Sequence, residues 1–597
     1  MMDQLDEALN GAQITATAAE NIRKWLTETP YEPYVDEVKA HIRDEKWQAL
    51  DDAFWTVIPF GTGGRRGRMY PIGCNAINDR TMGESARGLA EYVRDHASNP
   101  DQLACALAFD TRHNSEHFAR LCAEIMVAAG FTVYFLNEIR STPELSFLTR
   151  FKQCDCGIMI TASHNPPSDN AIKCYWSTGG QLLPPHDQGV IERVMQVADI
   201  PRVDFDAAVA DGKVIPCLEE VDRAFIAAVK ACAFEGPRDL HVLYSPLHGV
   251  GGTAVVPALA ADDFCHVEVF AAHATPDGDF PNVPGHVSNP ENTPVFDAII
   301  EHGKSTGADL IMATDPDCDR LGCAAPRSLD PDGEWETFNG NQIGALLTDF
   351  VLDKRREAGT LSADHYVVKT LVTTEMVRRI ADAYGVRTVG NLLVGFKWIG
   401  GVIDECGPDQ FVIGIEESHG YLVGQYARDK DGAVAAMLFA ELAAEAKAQQ
   451  KSLHERLEAL YWQHGYHAER LVTQKMAGSE GMAKMEALMA AFRSHPPQTL
   501  AGLAVVGVRD YQAGQVTRPD GSTEPLDGPR GNLIMLDLAE EGNYVAVRPS
   551  GTEPKVKFYN FVHVPAEQLA DLGRTRVEME TRLDGLQAEL AAFAEAI

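Results

Sequence analysis

Basic residues are scarce in this chain of 597 residues. It has 52 Lys and Arg against 86 Asp and Glu, which gives a formal net charge of −34 and an isoelectric point near 4.9. Because such a surface repels phosphate polymers and anionic lipids at long range, a nucleic-acid-binding or membrane-binding protein is disfavoured. At roughly 100–200 residues per domain, the length predicts several domains.

Long apolar runs, signal features and paired cysteines are also lacking. The most apolar long stretch, residues 433–444, contains Glu441 and falls short of the roughly 18–20 residues that a membrane span needs. The N-terminal MMDQLDEALNGAQ is acidic and lacks the pattern of a signal peptide. The 12 cysteines form no C-x-x-C pair, which indicates reduced thiols and neither disulfides nor a zinc site. We therefore expect a soluble cytoplasmic protein.

Apolar runs rich in β-formers alternate with amphipathic segments over most of the chain, for example at 103–110 and 411–417. This alternation is typical of α/β domains with buried sheets. Near the C-terminus, three apolar runs follow one another without helical segments between them, at 502–511, 532–538 and 543–549. They indicate a separate α+β domain, in which residues 518–531 are expected to form a solvated loop.

One predicted strand leads into a serine. In 157-GIMITASHNPPSDNAIKCY-175, Ser163 stands at the carboxyl end of an apolar run, where α/β sheets bind ligands. A proline pair shortly after it keeps the following loop extended. Ser163 can act as a covalent carrier if His164 or Lys173 handles its proton and counters negative charge. An ordinary Ser/Asn turn is the alternative for this segment.

Three aspartates at alternate positions follow another strand. The segment 315-DPDCDRLG-322 contains Asp315, Asp317 and Asp319, whose like charges repel one another unless a cation lies among them. Oxygen ligands favour a hard ion, and Mg²⁺ fits best. A calcium loop is excluded because the residues at its sixth and twelfth positions are Arg320 and Pro326. The alternative is a solvated acidic turn.

Two further loops are suited to phosphate. In 60-FGTGGRRGRMY-70, glycine N–H groups can approach an anion and Arg65, Arg66 and Arg68 add positive charge, although the ending of a nucleotide-binding P-loop is missing. In 548-RPSGTEPK-555, charged side chains, hydroxyls and a glycine N–H can clamp a phosphate. For each loop a structural turn is the alternative.

Paired glutamates end a third strand. The segment 413-IGIEESHGYLVG-424 delivers Glu416, Glu417, Ser418 and His419 into a loop, and ionised carboxylates suit sugar hydroxyls because they only accept hydrogen bonds. Nearby, 395-GFKWIG-400 supplies Lys397. A glycosidase is disfavoured, since adjacent glutamates on a strand point to opposite faces.

A dinucleotide-binding pattern is also present but weak. The segment 249-GVGGTA-254 matches G-x-G-x-x-A, and Glu268 lies about twenty residues further on. However, Glu268 stands inside the apolar run 265–270 and not at its end. A tight turn at the start of a helix explains the glycines better than a cofactor site does.

Taken in order, the five loops resemble those of the α-D-phosphohexomutase superfamily, particularly the long phosphoglucomutases and their phosphopentomutase-like relatives, over residues 50–560. The resemblance implies three similar α/β domains with mixed sheets between helices and a C-terminal α+β domain, arranged around a central cleft. With the strand pattern, it divides the chain into a helical extension (1–52) and domains at 53–205, 206–336, 337–466 and 467–597. These four domains carry, in order, the serine, metal, sugar and phosphate loops.

The resemblance also implies roles for single residues. Ser163 would carry a phosphoryl group and complete a Mg²⁺ site with Asp315, Asp317 and Asp319. Proton transfer and charge neutralisation would fall to His164, Lys173 and Arg66, with no choice made among them. Contacts to the sugar phosphate would come from Glu416, Ser418, Lys397, Arg320, Arg548, Ser550, Gly551 and Thr552.

The expected reaction interconverts hexose 1-phosphate and hexose 6-phosphate, most directly of glucose, through a phosphoserine enzyme and a bisphosphorylated sugar. Glucose 1,6-bisphosphate would serve as primer, and the protein would be a monomer or homodimer without nucleic-acid or membrane partners. Mannose or pentose phosphates remain alternative substrates. Other classes left open are a magnesium phosphatase, a non-catalytic phosphosugar-binding protein and, from the glycine pattern, a dehydrogenase.

Overall fold

The computed structural model describes residues 2–61, 63–476, 481–550 and 555–597. Four β-sheets organise this part of the chain, with six, five, four and eight strands. Ahead of them lie the helices α1 (Met2–Asn10), α2 (Ala16–Thr27), α3 (Val35–Arg43) and α4 (Trp47–Phe54). These helices bury an apolar cluster of their own, in which the ring of Trp25 stacks on Tyr31 at 4.8 Å.

The first sheet has the strand order β1-β5-β4-β2-β3-β6. Its elements are β1 (Gly64–Arg68), α5 (Asp79–His96), β2 (Leu103–Phe109), α6 (Ser115–Ala128), β3 (Phe131–Phe135), α7 (Thr142–Phe151), β4 (Cys156–Ile160), β5 (Asp169–Trp176), α8 (His186–Val194), α9 (Phe205–Ala210) and β6 (Val214–Pro216). The central strands are parallel and apolar throughout, as expected for a sheet covered by helices on both faces.

The second sheet has the order β11-β10-β9-β7-β8. Its elements are α10 (Leu218–Lys230), β7 (Val242–Ser245), α11 (Val255–Ala261), β8 (Val267–Val269), α12 (Asp297–Thr306), β9 (Leu310–Thr314), β10 (Leu321–Pro326) and β11 (Trp335–Phe338). The antiparallel turn from β9 to β10 holds the three aspartates, so the acidic loop stands at the carboxyl end of a fully buried strand.

The third sheet has the order β13-β12-β14-β15. Its elements are α13 (Gly340–Glu357), β12 (Tyr366–Lys369), α14 (Met376–Ala383), β13 (Arg387–Val389), α15 (Phe396–Cys406), β14 (Phe411–Glu416), β15 (Gly420–Val423), α16 (Gly432–Ala448) and α17 (Leu453–His464). The apolar stretch that contains Glu441 forms most of α16, a buried helix between sheets.

The fourth sheet is antiparallel, with the order β16-β23-β22-β21-β18-β19-β20 and β17 paired to β18. Its elements are β16 (Tyr466–Lys475), α18 (Gly481–Ser494), β17 (Thr499–Leu500), β18 (Leu503–Asp510), β19 (Gln515–Thr517), β20 (Thr523–Pro525), β21 (Ile534–Leu538), β22 (Tyr544–Pro549), β23 (Lys555–Val564) and α19 (Leu572–Glu595). The expectation of a solvated loop over 518–531 is therefore wrong for β20, whose backbone pairs with β19 at the edge of the sheet.

This architecture confirms the predicted class of three α/β units with mixed sheets and a fourth α+β unit. Two predicted domain boundaries do not coincide with the sheets. Strand β6 of the first sheet lies beyond residue 205, and β11 of the second sheet extends across residue 336. The division of the chain at the predicted domain bounds therefore stays a prediction. Among the helices formed by the described residues, none combines the length and apolarity needed to cross a membrane.

Candidate active site

The serine loop begins where β4 ends. Ser163 is buried and has φ of 52°, a left-handed conformation that is uncommon outside glycine. Its backbone N–H donates to Thr161 Oγ1 at 2.8 Å, and its hydroxyl donates to Asp315 Oδ2 at 2.7 Å. His164 Nδ1 lies 3.2 Å from the same hydroxyl oxygen. The loop thus fixes Ser163 between an imidazole and a carboxylate.

Arg112, which the sequence analysis did not single out, holds this loop in place. Its guanidinium donates to the backbone carbonyls of Ser163 and Asn165, and to that of Pro166 at 2.8 Å. Arg112 is 3% exposed and has Asp110 at 3.6 Å as its counter-charge. An Asp-x-Arg directly after an apolar strand is the only signal in the sequence that could have pointed to it.

The three aspartates converge, as the alternating spacing predicted. Oxygen atoms of Asp315, Asp317 and Asp319 lie within 4.8 Å of one another, and all three side chains are buried. Among the described residues, Asp317 Oδ1 and Asp319 Oδ1 have no hydrogen-bond partner. Burial and the two other carboxylates raise the pKa of Asp315 well above its usual value. Unsatisfied buried carboxylate oxygens in one place fit a hard divalent cation.

Two lysines flank the aspartates. Lys173 Nζ lies 2.7 Å from Asp317 Oδ2 and 3.4 Å from Asp319 Oδ2, and Lys430 Nζ lies 2.9 Å from Asp319 Oδ2. Burial by itself lowers the pKa of Lys173, but Asp317 and Asp319 raise it above its usual value. Burial acts on Lys430 in the same way, but Asp319 and Asp429 raise its pKa, so both ammonium groups stay charged. Lys430, from the segment 428-RDKDG-432, was not predicted, because nothing in its own neighbourhood indicates that it reaches the metal loop.

The glycine-arginine loop approaches the serine loop from β1. Arg66 is exposed and donates to Asn165 Oδ1 at 3.2 Å. Arg65 points the other way, is 1% exposed, and bonds to Glu84 at 2.7 Å. The expectation that Arg65 adds charge to the site is therefore wrong, since consecutive side chains on a strand face opposite sides. A Cβ at Gly64 would lie 1.8 Å from Ile172 O, so only glycine fits there.

The glutamate loop is joined directly to the metal loop. Leu321 N–H donates to His419 O at 3.0 Å, and the imidazole of His419 donates from Nδ1 to Leu321 O at 2.9 Å. Glu416 ends β14 and is buried, while Ser418 follows it in the loop. Burial raises the pKa of Glu416, although Lys430 and Arg320 work in the opposite direction. The sugar-reading candidates are thus held beside the carboxylate cluster.

Arg320 lies between the two loops. Its guanidinium pairs with Glu291, and its Nε lies 3.9 Å from both Asp315 Oδ2 and Asp319 Oδ1. Among the described residues that Nε has no hydrogen-bond partner, although it is buried. The Arg320 guanidinium is therefore held close to two carboxylates of the metal loop.

The phosphate loop of the fourth sheet is described in part. Arg548 in β22 pairs across the sheet with Lys557 in β23, and Ser550 N–H donates to Lys555 O at 2.8 Å. Gly551 and Thr552 lie outside the described residues. Burial lowers the pKa of Lys557, while carboxylates of the second and third sheets oppose this. Lys557 of the fourth sheet therefore lies within electrostatic reach of those carboxylates.

Lys397 is placed differently from the other candidates. It lies in the first turn of α15, with Nζ 3.2 Å from Asp187 Oδ2 and 3.3 Å from Leu182 O. These partners belong to the first sheet's α8 region. A contact of Lys397 with the sugar stays a prediction.

The glycine pattern at 249–254 supports the metal loop. Val250 N–H donates to Pro316 O at 2.9 Å, and a Cβ at Gly249 would lie 2.4 Å from Pro316 Cα. The segment leads through a short 3₁₀ turn into α11. Glu268 lies in β8 beside His302 and His241. The tight-turn explanation therefore agrees with the structure better than a cofactor site does.

A cavity of about 210 Å³ opens where these loops meet. Its walls combine one nucleophilic hydroxyl, one carboxylate of the metal loop and several cationic groups, from Arg66, Ser163, Lys173, Asp319, Arg320 and Lys430. A buried serine, a carboxylate cluster able to hold a cation and fixed positive charge are the groups that phosphoryl transfer requires.

The sequence matches three consecutive family domains, described as phosphoglucomutase/phosphomannomutase α/β/α domains I, II and III, at residues 58–199, 223–328 and 339–464. The chain therefore belongs to the phosphoglucomutase/phosphomannomutase family, and the resemblance inferred from the loops is confirmed.

Similar proteins cover nearly the whole chain. A phosphoglucomutase of Staphylococcus aureus (strain bovine RF122 / ET3-1) is 34% identical over 86% of this chain and 91% of its own. One of Staphylococcus saprophyticus is 34% identical over 90% of this chain and 95% of its own. The crystal structure of a putative phosphomannomutase from Thermus thermophilus shares the fold, with a TM-score of 0.61 and 22% identity over 88% of this chain and 99% of that chain.

Proposed function

We propose that this chain is a hexose-phosphate mutase that interconverts glucose 1-phosphate and glucose 6-phosphate. The observation that carries the proposal is the placement of the Ser163 hydroxyl 2.7 Å from Asp315, within a cluster of carboxylates and charged lysines. The phosphoglucomutase relatives at 34% identity support glucose as the sugar.

The reaction needs two phosphoryl transfers. In the first, the bond between phosphorus and Ser163 Oγ breaks and a bond to the free sugar hydroxyl oxygen forms, while the hydroxyl proton passes to a base and the released Ser163 Oγ takes up a proton. The resulting sugar bisphosphate turns over in the cleft. In the second, its other phosphate returns to Ser163 Oγ, and the freed sugar oxygen regains a proton. Water takes no part in the reaction. It has to be kept out of the site, because it could hydrolyse the phosphoserine or the sugar bisphosphate.

The aspartate cluster fits a magnesium ion. Asp315, Asp317 and Asp319 would hold it together with an oxygen of the Ser163 phosphoryl group, since two of their buried oxygens lack other partners among the described residues. Bound there, Mg²⁺ would neutralise charge that develops on the transferring group.

We assign the proton transfer to His164, because its Nδ1 lies 3.2 Å from the reacting oxygen of Ser163. Burial, with Arg320 and Arg66 nearby, lowers the pKa of His164 well below its usual value, so the ring is neutral in the protein without substrate. Lys173 is held by two carboxylates and Arg66 by Asn165, so we assign them charge neutralisation. In-line positioning by these fixed groups would supply much of the acceleration.

Recognition of the substrate's far end would come from the third and fourth sheets. Glu416 and Ser418 would accept or exchange hydrogen bonds with sugar hydroxyls, with Arg320 and Lys397 as further contacts. Arg548, Ser550, Gly551 and Thr552 would clamp the phosphate that does not react. Because either phosphate must fit this clamp, it has to recognise the phosphate and not the carbon that bears it.

One coupled assay tests the proposal. Glucose, mannose and ribose 1-phosphates are compared with Mg²⁺ and a glucose 1,6-bisphosphate primer, while released phosphate and the intact protein mass are followed. We expect formation of glucose 6-phosphate, little free phosphate and one added phosphoryl group on the protein. Net phosphate release would show a phosphatase. No turnover and no added mass would show a binding protein.

A further inference from the structure

Thr142, the first residue of α7, contacts the metal loop twice. Its hydroxyl donates to Asp317 Oδ2 at 2.6 Å, and its backbone N–H donates to the Asp317 carbonyl at 3.0 Å. Both side chains are fully buried. The contact joins two units of the fold, because α7 packs on the first sheet and Asp317 follows β9 of the second. The conformation of Asp317 therefore depends on where α7 begins.

The start of α7 is fixed by its own residues. Ser141 caps the helix, since its hydroxyl accepts from the Glu144 N–H at 3.2 Å. Pro143, next in the helix, restricts the backbone further. The N–H groups of a helix's first turn have no acceptor within the helix, so that of Thr142 is available to Asp317. Because a β-branched side chain has few rotamers, the Thr142 hydroxyl is a rigidly placed donor.

Hydrogen bonds divide the two oxygens of Asp317 between different tasks. Oδ2 accepts from Thr142 Oγ1 at 2.6 Å and from Lys173 Nζ at 2.7 Å, which uses both of its lone pairs. Oδ1 is buried and has no partner among the described residues. Rotation of the carboxylate would exchange the two oxygens and break both bonds. The bonds to Oδ2 therefore leave Oδ1 as the oxygen that a cation can take.

A hydroxyl suits this task better than another cation does. Asp319 is anchored through Oδ2 by two ammonium groups, of Lys430 at 2.9 Å and Lys173 at 3.4 Å, and its Oδ1 likewise lacks a partner within the described part of the chain. Each of those positive charges also repels a metal ion bound in the cluster. Thr142 anchors Asp317 without adding charge, so it orients the carboxylate without repelling the ion.

We propose that Thr142 is a positioning residue for Asp317, and that its hydroxyl raises the affinity of the aspartate cluster for a divalent cation. The proposal rests on the magnesium site of the proposed function, but it concerns the binding of the ion and not the transfer of the phosphoryl group. Hydrogen bonds to a metal ligand typically change metal affinity by about 10–100-fold.

Manganese binding to the full chain without substrate tests this role. Mn²⁺ shares the preference of Mg²⁺ for oxygen ligands, and the EPR signal of free Mn²⁺ gives the dissociation constant. We expect Thr142→Val, which nearly keeps the shape of the side chain and removes the hydroxyl, to raise this constant by about tenfold or more. Intact mass should confirm equal phosphoryl content in all samples, since an oxygen of that group would also bind the ion.

Control variants separate positioning from a general loss of packing. Thr142→Ser retains the hydroxyl and should keep the wild-type affinity. Thr149→Val removes another fully buried hydroxyl of α7, one that donates to Leu145 O at 2.9 Å, and should leave Mn²⁺ binding unchanged. Urea unfolding verifies that each variant is folded. Should Thr142→Val not fold, Thr142→Ala removes the same hydroxyl and takes its place.

The results for ion binding and for turnover are independent of each other. Weaker binding by Thr142→Val than by Thr149→Val and the wild type supports the proposal, even if the wild type has no mutase activity. Equal affinity of Thr142→Val and the wild type would overturn it, even where turnover is normal. Wild-type binding no tighter than that of Asp319→Asn would show that the cluster holds no ion, and would overturn it as well.

Discussion

The hydroxyl of Ser163 lies 2.7 Å from Asp315 Oδ2, although 152 residues separate the two along the chain. Ser163 follows β4 of the first sheet, and Asp315 follows β9 of the second. The two sheets are locked together at this point, because Thr142 Oγ1 donates to Asp317 Oδ2 at 2.6 Å and Thr142 N–H donates to Asp317 O at 3.0 Å. The proposed nucleophile and the proposed cation ligands therefore meet only after both sheets have folded and packed.

Removing the Ser163 hydroxyl should abolish mutase turnover. We expect Ser163→Ala to lower kcat by roughly 10³-fold or more, because the covalent carrier is lost while binding groups remain. The coupled assay gives the rate, and the intact mass should no longer show a phosphoryl group.

Ser168→Ala is the matched control for this variant. Ser168 stands in the same loop but is exposed, and its hydroxyl donates to Asp169 at 2.9 Å. It should retain wild-type turnover. Undiminished interconversion by Ser163→Ala would contradict the assignment of the nucleophile.

Loss of one aspartate should raise the magnesium concentration that the enzyme needs for activity. Asp319 offers an unpartnered buried oxygen to the proposed ion, so Asp319→Asn should raise the Mg²⁺ concentration for half-maximal activity by about 10–100-fold. Treatment with EDTA should abolish wild-type activity, and added Mg²⁺ should restore it. The exposed Asp330→Asn should behave as wild type. An unchanged Mg²⁺ requirement in Asp319→Asn would argue against the site.

The sequence was sufficient to predict the strands and the loops at their ends. Apolar runs long enough to be buried correspond to β4, β9 and β14, and the Ser163, Asp315 and Glu416 loops stand where those strands finish. The direction of a strand and its burial follow from the strand's own residues, so the apolar run in the sequence is enough to predict them.

What the sequence could not show depends on tertiary contacts. Arg112 acts on carbonyls more than 50 residues away, and Lys430 reaches an aspartate more than 100 residues before it. The sequence around Arg112 and around Lys430 does not indicate these partners. The prediction that Arg65 adds charge to the site was wrong for a local reason. Its side chain pairs with Glu84 in α5, whereas that of Arg66 bonds to the serine loop. The composition of a glycine-arginine loop does not show which arginine lies on which face of the strand.

Removing Arg112 should harm both folding and catalysis. Arg112→Met leaves buried carbonyls and the Asp110 carboxylate without their cation, which we expect to lower the free energy of unfolding by about 3–5 kcal/mol. The loosened serine loop should lower kcat by about 10²-fold. Urea unfolding and the coupled assay measure the two effects.

Arg120→Met provides the comparison for Arg112, because Arg120 is partly exposed and pairs with the exposed Asp206 at 2.9 Å. Its unfolding free energy should change by less than about 1 kcal/mol. Equal stability of Arg112→Met and Arg120→Met would show that the loop does not depend on Arg112.

Weakening the phosphate clamp should affect both substrates alike. Arg548→Met removes a charge-assisted contact to the phosphate that does not react, so we expect KM to rise by roughly 10–100-fold for glucose 1-phosphate and glucose 6-phosphate together. Arg518→Met, on the exposed β19–β20 hairpin, should change neither value. A rise for only one substrate would mean that the clamp distinguishes the two orientations.

The ion pair between Lys369, at the end of β12, and Glu375 should make the free energy of unfolding depend on pH. Lys369 is fully buried, and its Nζ lies 2.8 Å from Glu375 Oε1. Burial alone would raise the pKa of Glu375, but Lys369 and Arg378 lower it from the ordinary 4.5 to about 2. Because the folded-state pKa lies below the unfolded one, ionised Glu375 stabilises the fold above about pH 4.5, and this stabilisation is lost as the pH falls toward about 2.

Glu375→Gln should therefore be most destabilising near neutral pH, and its difference from the wild type should shrink steadily below about pH 4.5. Unfolding free energies from urea titrations at about pH 7, 5 and 3.5 measure this difference. The control is Glu578→Gln, since Glu578 forms an exposed pair with Arg574 at 2.7 Å and should show a small effect at each pH. A constant deficit of Glu375→Gln across this range would mean that lost packing, and not the charge of Glu375, accounts for its effect.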